Sequence, residues 1–246
     1  MPTADPTSIS IVIPAYNEGR RLRRACTLVT EFLNAGGYDW ELIVVDDGSK
    51  DRTREIAEAY MQQHPKRMTV IGRDENLGKG ATVRQGVLAA TKSIVVFTDA
   101  DQATPIEELP KFIEQLEAGA DVVMGSRYLG ESNVMQKQSL LRRLLSRSGN
   151  LLIRVVLGLP YTDTQCGFKA MTKQAAQTIF ERLTITRWGF DIEAIVIART
   201  HRLKVVEIPV KWHDGGESKL RAGRVAIATL RELLVIRMNL MKGRYA

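Results

Sequence analysis

The sequence is poor in cysteine and in aromatic residues. Its 246 residues include two cysteines, Cys26 and Cys166, which lie far apart and have no metal-ligand spacing. This excludes a disulfide framework and a cysteine-based zinc site, and it indicates a reducing compartment. Aromatic residues make up 6% of the chain, which is little for the stacking surfaces that bind single-stranded nucleic acid.

Long hydrophobic runs are also missing. No stretch of about 18 apolar residues occurs, so the sequence predicts no membrane-spanning helix. The first seven residues are polar, and the apolar run 9–13 is too short for the core of a signal peptide. We therefore expect a cytoplasmic protein that meets a membrane only at its surface.

Acidic residues are absent from residues 132–162, which nevertheless carry five cations and many leucines. The cations are Lys137, Arg142, Arg143, Arg147 and Arg154. The pattern predicts a basic amphipathic helix over 136–158, and a second one over 221–242. In the second, the apolar residues at helical spacing are Ile227, Leu230, Leu234, Met238 and Met241. Two interpretations are open: the helices lie in the headgroup region of a membrane, or they bury their leucines in the protein core and leave the cations solvated.

The formal net charge of +7 indicates an anionic partner. Nucleic acid, an anionic membrane surface and a phosphorylated substrate all fit this charge. The cations lie beside apolar helices rather than beside aromatic residues, which argues against nucleic acid.

Strand and helix patterns alternate through residues 8–126. Strands are predicted at 8–13, 41–45, 68–72, 94–98 and 121–125, and helices at about 19–34, 52–63, 79–91 and 107–118. This rhythm predicts an α/β fold with a mostly parallel sheet and helices on both faces. A further strand is predicted at 205–210, with Pro209 at its end.

Acidic pairs follow two of these strands. Asp99 and Asp101 come after strand 94–98, and Asp46 and Asp47 after strand 41–45. Open α/β sheets bind ligands at the carboxyl ends of their strands, and in extended backbone Asp99 and Asp101 would leave on the same side. Two hard oxygen donors suit Mg²⁺ or Mn²⁺, which usually bring substrate phosphates. The alternative is a set of solvated turn acids or helix caps.

Two cations stand at the boundaries of predicted elements. Lys79 lies between Gly78 and Gly80 at a predicted helix start, but the spacing of the glycines excludes a P-loop. It could meet a phosphate or a nucleobase, or it could be a plain turn lysine. Arg127 follows the fifth strand, where its bidentate guanidinium would suit a phosphate, or where it is an ordinary surface arginine.

Five motifs together resemble the inverting family 2 glycosyltransferases of GT-A fold. They are residues 11–18 (IVIPAYNE), 44–49 (VVDDGS), 76–80 (NLGKG), 99–101 (DAD) and 125–127 (GSR). Three later motifs resemble the dolichyl-phosphate sugar synthases, most of all their β-glucosyltransferase branch. These are residues 163–169 (DTQCGFK), 187–193 (RWGFDIE) and 216–220 (GESKL). The resemblance covers about residues 8–245.

The resemblance implies a GT-A, Rossmann-like fold in a single domain over 1–246. Residues 8–126 would form its nucleotide-sugar-binding half, 127–220 its acceptor-binding half, and 221–246 a basic amphipathic C-terminal helix. The residues that would bind the donor are Pro14, Tyr16, Glu18, Asp47, Lys79, Asp99, Ala100, Asp101 and Lys219.

The same resemblance implies a metal and an acceptor. Asp101, supported by Asp99, would hold Mg²⁺ or Mn²⁺, and Asp101 and Arg127 would be catalytic. The acceptor phosphate would meet Arg127, Arg143 and Lys219.

The implied reaction is transfer of a hexose, glucose from UDP-glucose, to dolichyl or polyprenyl phosphate with inversion. Ala103 and His213 stand where the mannosyl branch has Gln and Arg, which favours the glucosyl branch. A GDP-mannose-dependent synthase is the alternative, and a non-catalytic basic protein that binds membrane or nucleic acid is the alternative from another class. The implied partners are the nucleotide sugar, the lipid phosphate and the cytoplasmic face of a membrane, reached through the basic helices, and no nucleic acid.

Overall fold

The computed structural model describes residues 7–130, 132–134, 140–213 and 222–246. The first part of the chain alternates strands and helices as the sequence predicts. Its elements are β1 (Ser8–Ala15), α1 (Leu22–Ala35), β2 (Asp39–Asp46), α2 (Thr53–Met61), β3 (Met68–Gly72), α3 (Lys79–Ala89), β4 (Ile94–Thr98), a short 3₁₀ turn (Ile106–Glu108), α4 (Leu109–Glu117) and β5 (Val122–Ser126).

The second part contains the two long basic helices and several elements that the sequence did not predict. Its elements are β6 (Asn133–Val134), α5 (Leu140–Leu157), β7 (Phe168–Thr172), α6 (Lys173–Arg182), α7 (Phe190–Thr200), β8 (Val205–Pro209), β9 (Lys211–Trp212) and α8 (Ala222–Met241). The missed elements are the short strands β6 and β9, strand β7, and the helices α6 and α7.

Seven strands form one mixed sheet in the order β3-β2-β1-β4-β7-β5-β8. Strand β7 runs antiparallel to both of its neighbours, and all other pairs in this sheet are parallel. The strands β6 and β9 form a separate small parallel pair. The predicted α/β class and mostly parallel sheet are confirmed.

The sheet is covered on both faces because successive residues of its strands point to opposite sides. In β1, Ile11 and Ile13 join a core with α1, α2 and α4. Between them, Val12 joins a second core that contains α3, α6, α7 and the inner side of α8. The two apolar layers therefore hold helices on both faces.

The order of the strands reverses beside β1, where β2 lies on one side and β4 on the other. Open sheets form a ligand crevice at such a point, outside the carboxyl ends of the strands. Strand β7 starts at the same edge, because Phe168 pairs with Thr98, the last residue of β4. Residues 163–167 therefore lie beside the acidic loop that follows β4.

Candidate active site

The loops that follow β1 and β2 are tied to each other at the carboxyl edge of the sheet. The Asn17 N–H donates to Ser49 Oγ (2.9 Å), and the Lys50 N–H donates to Asn17 Oδ1 (2.8 Å). Asn17 has a left-handed backbone, with φ 55°, a conformation that Asn tolerates better than most residues. Two motifs far apart in the chain thus form one surface.

Tyr16 projects from this surface and is 46% exposed. Pro14 is half-buried, and Glu18 forms an ion pair with Arg21 (2.8 Å). An exposed aromatic ring at a ligand edge can stack on a nucleobase.

Asp47 is buried and serves first as a structural clamp. Its two carboxylate oxygens accept the N–H groups of Leu77 and Gly78, each at 2.9 Å. Arg73 pairs with the same carboxylate at 3.1 Å. These contacts fix the loop that leads into α3, and they set the position of Lys79, the first residue of that helix.

The Lys79 ammonium group meets the acidic loop after β4. Its Nζ lies 2.6 Å from Asp99 Oδ1 and 5.9 Å from the centre of the Trp188 ring. Burial opposes the charged form of Lys79, but the carboxylates of Asp99, Asp191 and Asp101 outweigh it and raise the lysine pKa. Lys79 is therefore a fixed positive charge in the crevice, which the interpretation as a plain turn lysine does not explain.

The acidic loop itself is a turn, so the expectation of extended backbone for Asp99 and Asp101 is wrong. Strand β4 ends at Thr98, and Ala100 and Asp101 lie in the turn. Ala100 is buried, whereas Asp101 faces solvent and accepts the Ala103 N–H through Oδ1 (3.0 Å).

The two carboxylates of this loop fit a divalent cation. Loss of hydration on its inner side and the negative charge of Asp99 raise the pKa of Asp101, and a bound cation would relieve that repulsion. Among the described residues, no group of three or more His, Cys, Asp or Glu side chains could hold a metal ion. A site of two carboxylates completed by substrate phosphates is the usual arrangement for Mg²⁺.

The close packing around Asp99 explains the glycine of the 163–169 motif. A Cβ atom on Gly167 would lie 2.1 Å from Asp99 Oδ2. A side chain at this position would displace the Asp99 carboxylate from its place beside Lys79.

Arg127 is held in place by a partner that the sequence did not reveal. Its Nε and Nη2 donate to the two oxygens of Asp163 (2.7 and 2.9 Å), and its backbone N–H donates to the same carboxylate (3.0 Å). Burial opposes the charged form of Asp163, but the charge and hydrogen bonds of Arg127 outweigh it and lower the pKa of this carboxyl. The rings of Tyr128 and Trp212 flank the guanidinium at 5.5 and 5.7 Å.

A second buried ion pair lies behind the crevice. Lys169 Nζ is 2.5 Å from Asp191 Oδ1 and also donates to the Cys166 carbonyl (2.7 Å). Burial raises the pKa of Asp191 despite the nearby ammonium groups. Sequence reasoning assigned no role to either residue, although both lie in motifs that it singled out.

Two candidate residues cannot be placed in the same way. Lys219 lies outside the described residues, and so does the side chain of Arg143, whose backbone belongs to α5. His213 lies beside the acidic loop, because its N–H donates to the Ala103 carbonyl (2.8 Å).

The helices α5 and α8 pack against each other, and both carry exposed apolar side chains. On α8 the exposed residues are Leu230, Leu234, Val235, Met238 and Met241, while Leu233 and Ile236 are buried. On α5 the exposed residues are Leu151, Leu152 and Val155, while Ile153 and Leu157 are buried. The apolar stripe predicted on α8 is therefore exposed wherever its side chains are described, and the interpretation that it is buried in the core is wrong for those residues.

Among the described residues, no helix is long and apolar enough to cross a membrane.

Comparisons with known proteins identify the family of the chain. The sequence model of glycosyl transferase family 2 matches residues 10–180. A dolichyl-phosphate beta-glucosyltransferase of Trichomonas vaginalis is 36% identical over 230 residues, which cover 89% of this chain and 68% of that protein. The human dolichyl-phosphate beta-glucosyltransferase is 32% identical over 249 residues, which cover 96% of this chain and 77% of the human protein.

Solved structures show the same fold. The glucosyl-3-phosphoglycerate synthase of Mycobacterium tuberculosis, crystallised with Mn²⁺, UDP and phosphoglyceric acid, aligns with a TM-score of 0.71 at 20% identity, over 98% of this chain and 79% of that one. A second structure of that enzyme, with Mg²⁺ and UDP, aligns with a TM-score of 0.68 at 21% identity, over 93% of this chain and 79% of that one. The chain belongs to glycosyl transferase family 2, among the dolichyl-phosphate beta-glucosyltransferases.

Proposed function

We propose that this protein transfers glucose from UDP-glucose to dolichyl or another polyprenyl phosphate, with inversion at the anomeric carbon. The observation that carries the proposal is the charged crevice at the end of β4, where Lys79, Asp99 and Asp101 converge, in a chain whose relatives are named for this activity. The UDP found in the similar structures supports the choice of nucleotide.

On the donor side, Asp101 and Asp99 would hold Mg²⁺ or Mn²⁺. When bound, the ion neutralises the diphosphate and stabilises the charge that develops on the leaving UDP. Lys79 adds a fixed positive charge at the same place. Tyr16, with Pro14, Glu18, Asp47 and Ala100 around it, is proposed to line the pocket for the nucleoside.

On the acceptor side, the chemistry needs no general base. A phosphate monoester is an anion near neutral pH, so its oxygen can attack the anomeric carbon directly while the bond from that carbon to UDP breaks. The buried Asp191 is not proposed as a general base, since its carboxylate is paired with Lys169. Arg127 is the proposed contact for the phosphate, joined by Lys219 and Arg143.

The acceptor is a lipid, so the site must meet a membrane surface. We propose that the exposed apolar residues of α5 and α8 enter the headgroup region and place the protein at the cytoplasmic face as a peripheral protein. The exposed cations Arg154, Arg231 and Arg237 of these helices, and Lys242 directly after α8, support this. Each Lys or Arg near an anionic surface contributes about 1 kcal/mol.

A panel of donors tests the proposal. Purified protein is incubated with a short polyprenyl phosphate, Mn²⁺ or Mg²⁺ and either UDP-glucose or GDP-mannose, and the lipid product is quantified. We expect turnover with UDP-glucose, loss of turnover on chelation of the metal, and no product from the unphosphorylated polyprenol. Preferred use of GDP-mannose would place the protein in the mannosyl branch, and no turnover of either donor would favour a non-catalytic binding protein.

A further inference from the structure

The inner side of α8 contacts the loop 183–189, which leads into α7. Glu232 Oε2 accepts the Gly189 N–H at 2.7 Å. About two turns further along, Asn239 Nδ2 donates to Thr184 Oγ1 at 3.2 Å. The helix that exposes an apolar stripe on one side therefore holds this loop with polar side chains on the other.

The opposite side of the same loop caps the start of α3. The Gly80 N–H donates to the Arg187 carbonyl (3.2 Å), and the Ala81 N–H donates to the Thr186 carbonyl (3.0 Å). The contact is backbone on backbone, because a Cβ atom on Gly80 would lie 2.5 Å from the carbonyl oxygen of Ile185. Little space is left for the loop to shift without moving the start of α3.

Lys79 is the first residue of α3, so any displacement of the start of this helix also moves Lys79. Its ammonium group pairs with Asp99 at 2.6 Å and faces the Trp188 ring, which belongs to the loop. A continuous set of contacts thus runs from Glu232 through Gly189 and Trp188 to the charged crevice.

We propose that Glu232 is a positioning residue for the donor site: it fixes loop 183–189, and through it the Lys79–Asp99 pair that receives the nucleoside diphosphate. The inference rests on the proposed function, which places UDP in this crevice. Glu232 itself touches neither donor nor acceptor.

The hydrogen bond between Glu232 and Gly189 requires an acceptor oxygen at the correct distance from the backbone of α8. A Cβ atom on Gly189 would lie 2.9 Å from Glu232 Oε2, so the carboxylate packs directly on the glycine. Removing the carboxylate leaves a buried N–H without its acceptor, which a loop can correct only by moving. Glutamine keeps a carbonyl oxygen at the same reach, whereas aspartate is one methylene shorter.

The test is calorimetric titration of UDP in Mn²⁺ with the full-length wild-type protein and with Glu232→Ala, Glu232→Gln and Glu232→Asp. We expect Glu232→Ala and Glu232→Asp to weaken UDP binding by roughly fivefold or more, the loss of one good hydrogen bond. We expect Glu232→Gln to bind UDP within twofold of the wild type. Glu114→Ala, which removes an exposed carboxylate from α4, is the matched control and should bind UDP as the wild type does.

The steady-state constants separate positioning from general destabilisation. Positioning predicts a higher KM for the donor in Glu232→Asp with a smaller change in kcat, whereas partial unfolding lowers kcat and leaves KM unchanged. If Glu232→Ala does not fold, the comparison of Glu232→Asp with Glu232→Gln carries the test. Equal UDP affinity of these two variants, or a Glu232→Gln variant as weak as Glu232→Ala, overturns the inference. Failure of the wild type to bind UDP overturns the proposed function instead.

Discussion

Among single residues, Asp101 lowers the stability of the folded protein when no ligand is bound, and its proposed role as a metal ligand explains why it is present. Its pKa is raised by loss of hydration and by Asp99, so the folded protein binds the proton more tightly than the unfolded chain does. The loss of stability is absent below the ordinary carboxyl pKa. It grows as the pH rises from there through the raised pKa of Asp101, and it is fully present at neutral pH. A carboxylate that destabilises the protein in the absence of ligand is typical of a functional site.

The Asp101→Asn variant should therefore separate stability from activity. We expect a small rise in Tm at pH 7 without metal, and a fall in transfer rate of roughly two orders of magnitude, because a metal ion contributes several kcal/mol to such reactions. Differential scanning fluorimetry with and without Mn²⁺ gives the comparison. Mn²⁺ with UDP should raise the Tm of the wild type and not that of the variant; an equal rise in both would exclude Asp101 as a ligand.

The buried Lys169–Asp191 pair makes a second prediction. Lys169→Met leaves a buried carboxylate without its partner, which costs about 3–5 kcal/mol. The double variant with Asp191→Asn should recover a large part of that loss. Because burial already raises the pKa of Asp191, the single variant should be less destabilised at pH 5.5 than at pH 8. Urea unfolding at both pH values measures this, and an equal loss at both would contradict it.

The residues that the sequence could not identify share one property: their partners are distant in the chain. Asp99 and Arg127 follow predicted strands and Lys79 begins a predicted helix, so the order of elements is enough to find them. Asp163 and Asp191 work through Arg127 and Lys169, and no spacing rule links those pairs. Glu232 lies on the polar side of α8, and the sequence alone does not distinguish this side from one that is exposed to solvent.

Among the elements, α3 depends on a glycine for its contact with the sheet. A Cβ atom on Gly86 would lie 2.4 Å from Val12 Cγ1 and 2.9 Å from Val45 Cγ2. Overpacking costs about 1–3 kcal/mol, more than the gain of about 1 kcal/mol that alanine brings to a helix. Gly86→Ala should thus lower the free energy of unfolding.

Gly149 in α5 is the matched control for this prediction. A Cβ atom there meets nothing within 4 Å, so Gly149→Ala should raise the free energy of unfolding by about 0.5–1 kcal/mol. The same substitution in two helices is expected to have opposite signs in urea titrations. Stabilisation by both would mean that α3 can move away from the sheet.

The exposed stripe of α8 gives a prediction about membranes. Leu234 is 57% exposed, and moving such a side chain out of an apolar environment costs about 1.5–3 kcal/mol. Leu234→Glu should therefore weaken co-sedimentation with anionic vesicles at least about tenfold. Leu88→Glu changes an exposed leucine of α3 and should leave vesicle binding unchanged; equal loss in both variants would indicate a general effect of charge.

Helices were predictable where one side is buried and the other is not, and strands where a short apolar run alternates with such helices. The strands of the first part and the long helices α5 and α8 have clear patterns, and the structure places them within a few residues of the predictions. Helix α7 was missed because every residue from Phe190 to Ala198 is buried, which removes the amphipathic period. Strand β7 was missed because it is short and follows a loop, without the strand–helix alternation that marked the others.

For the molecule as a whole, β7 joins parts that are separate in the chain. It lies between β4 and β5, and the pairs that β5 makes in the sheet are with β7 and β8. We therefore expect a fragment of residues 1–126 to lack a cooperative urea transition, because its fifth strand has no partner. A cooperative transition in the fragment, compared with the full chain by circular dichroism, would show that the first part folds alone.

The position of β7 also has a consequence for how the protein is made. Every residue of β5, from Val122 to Ser126, is buried in the finished sheet, yet both of its neighbours are synthesised later. While the ribosome adds the intervening residues, an apolar strand with unpaired edges stays accessible to other nascent chains. Substitutions in β7 should thus reduce the yield of folded protein in cells before they reduce the activity of each folded molecule.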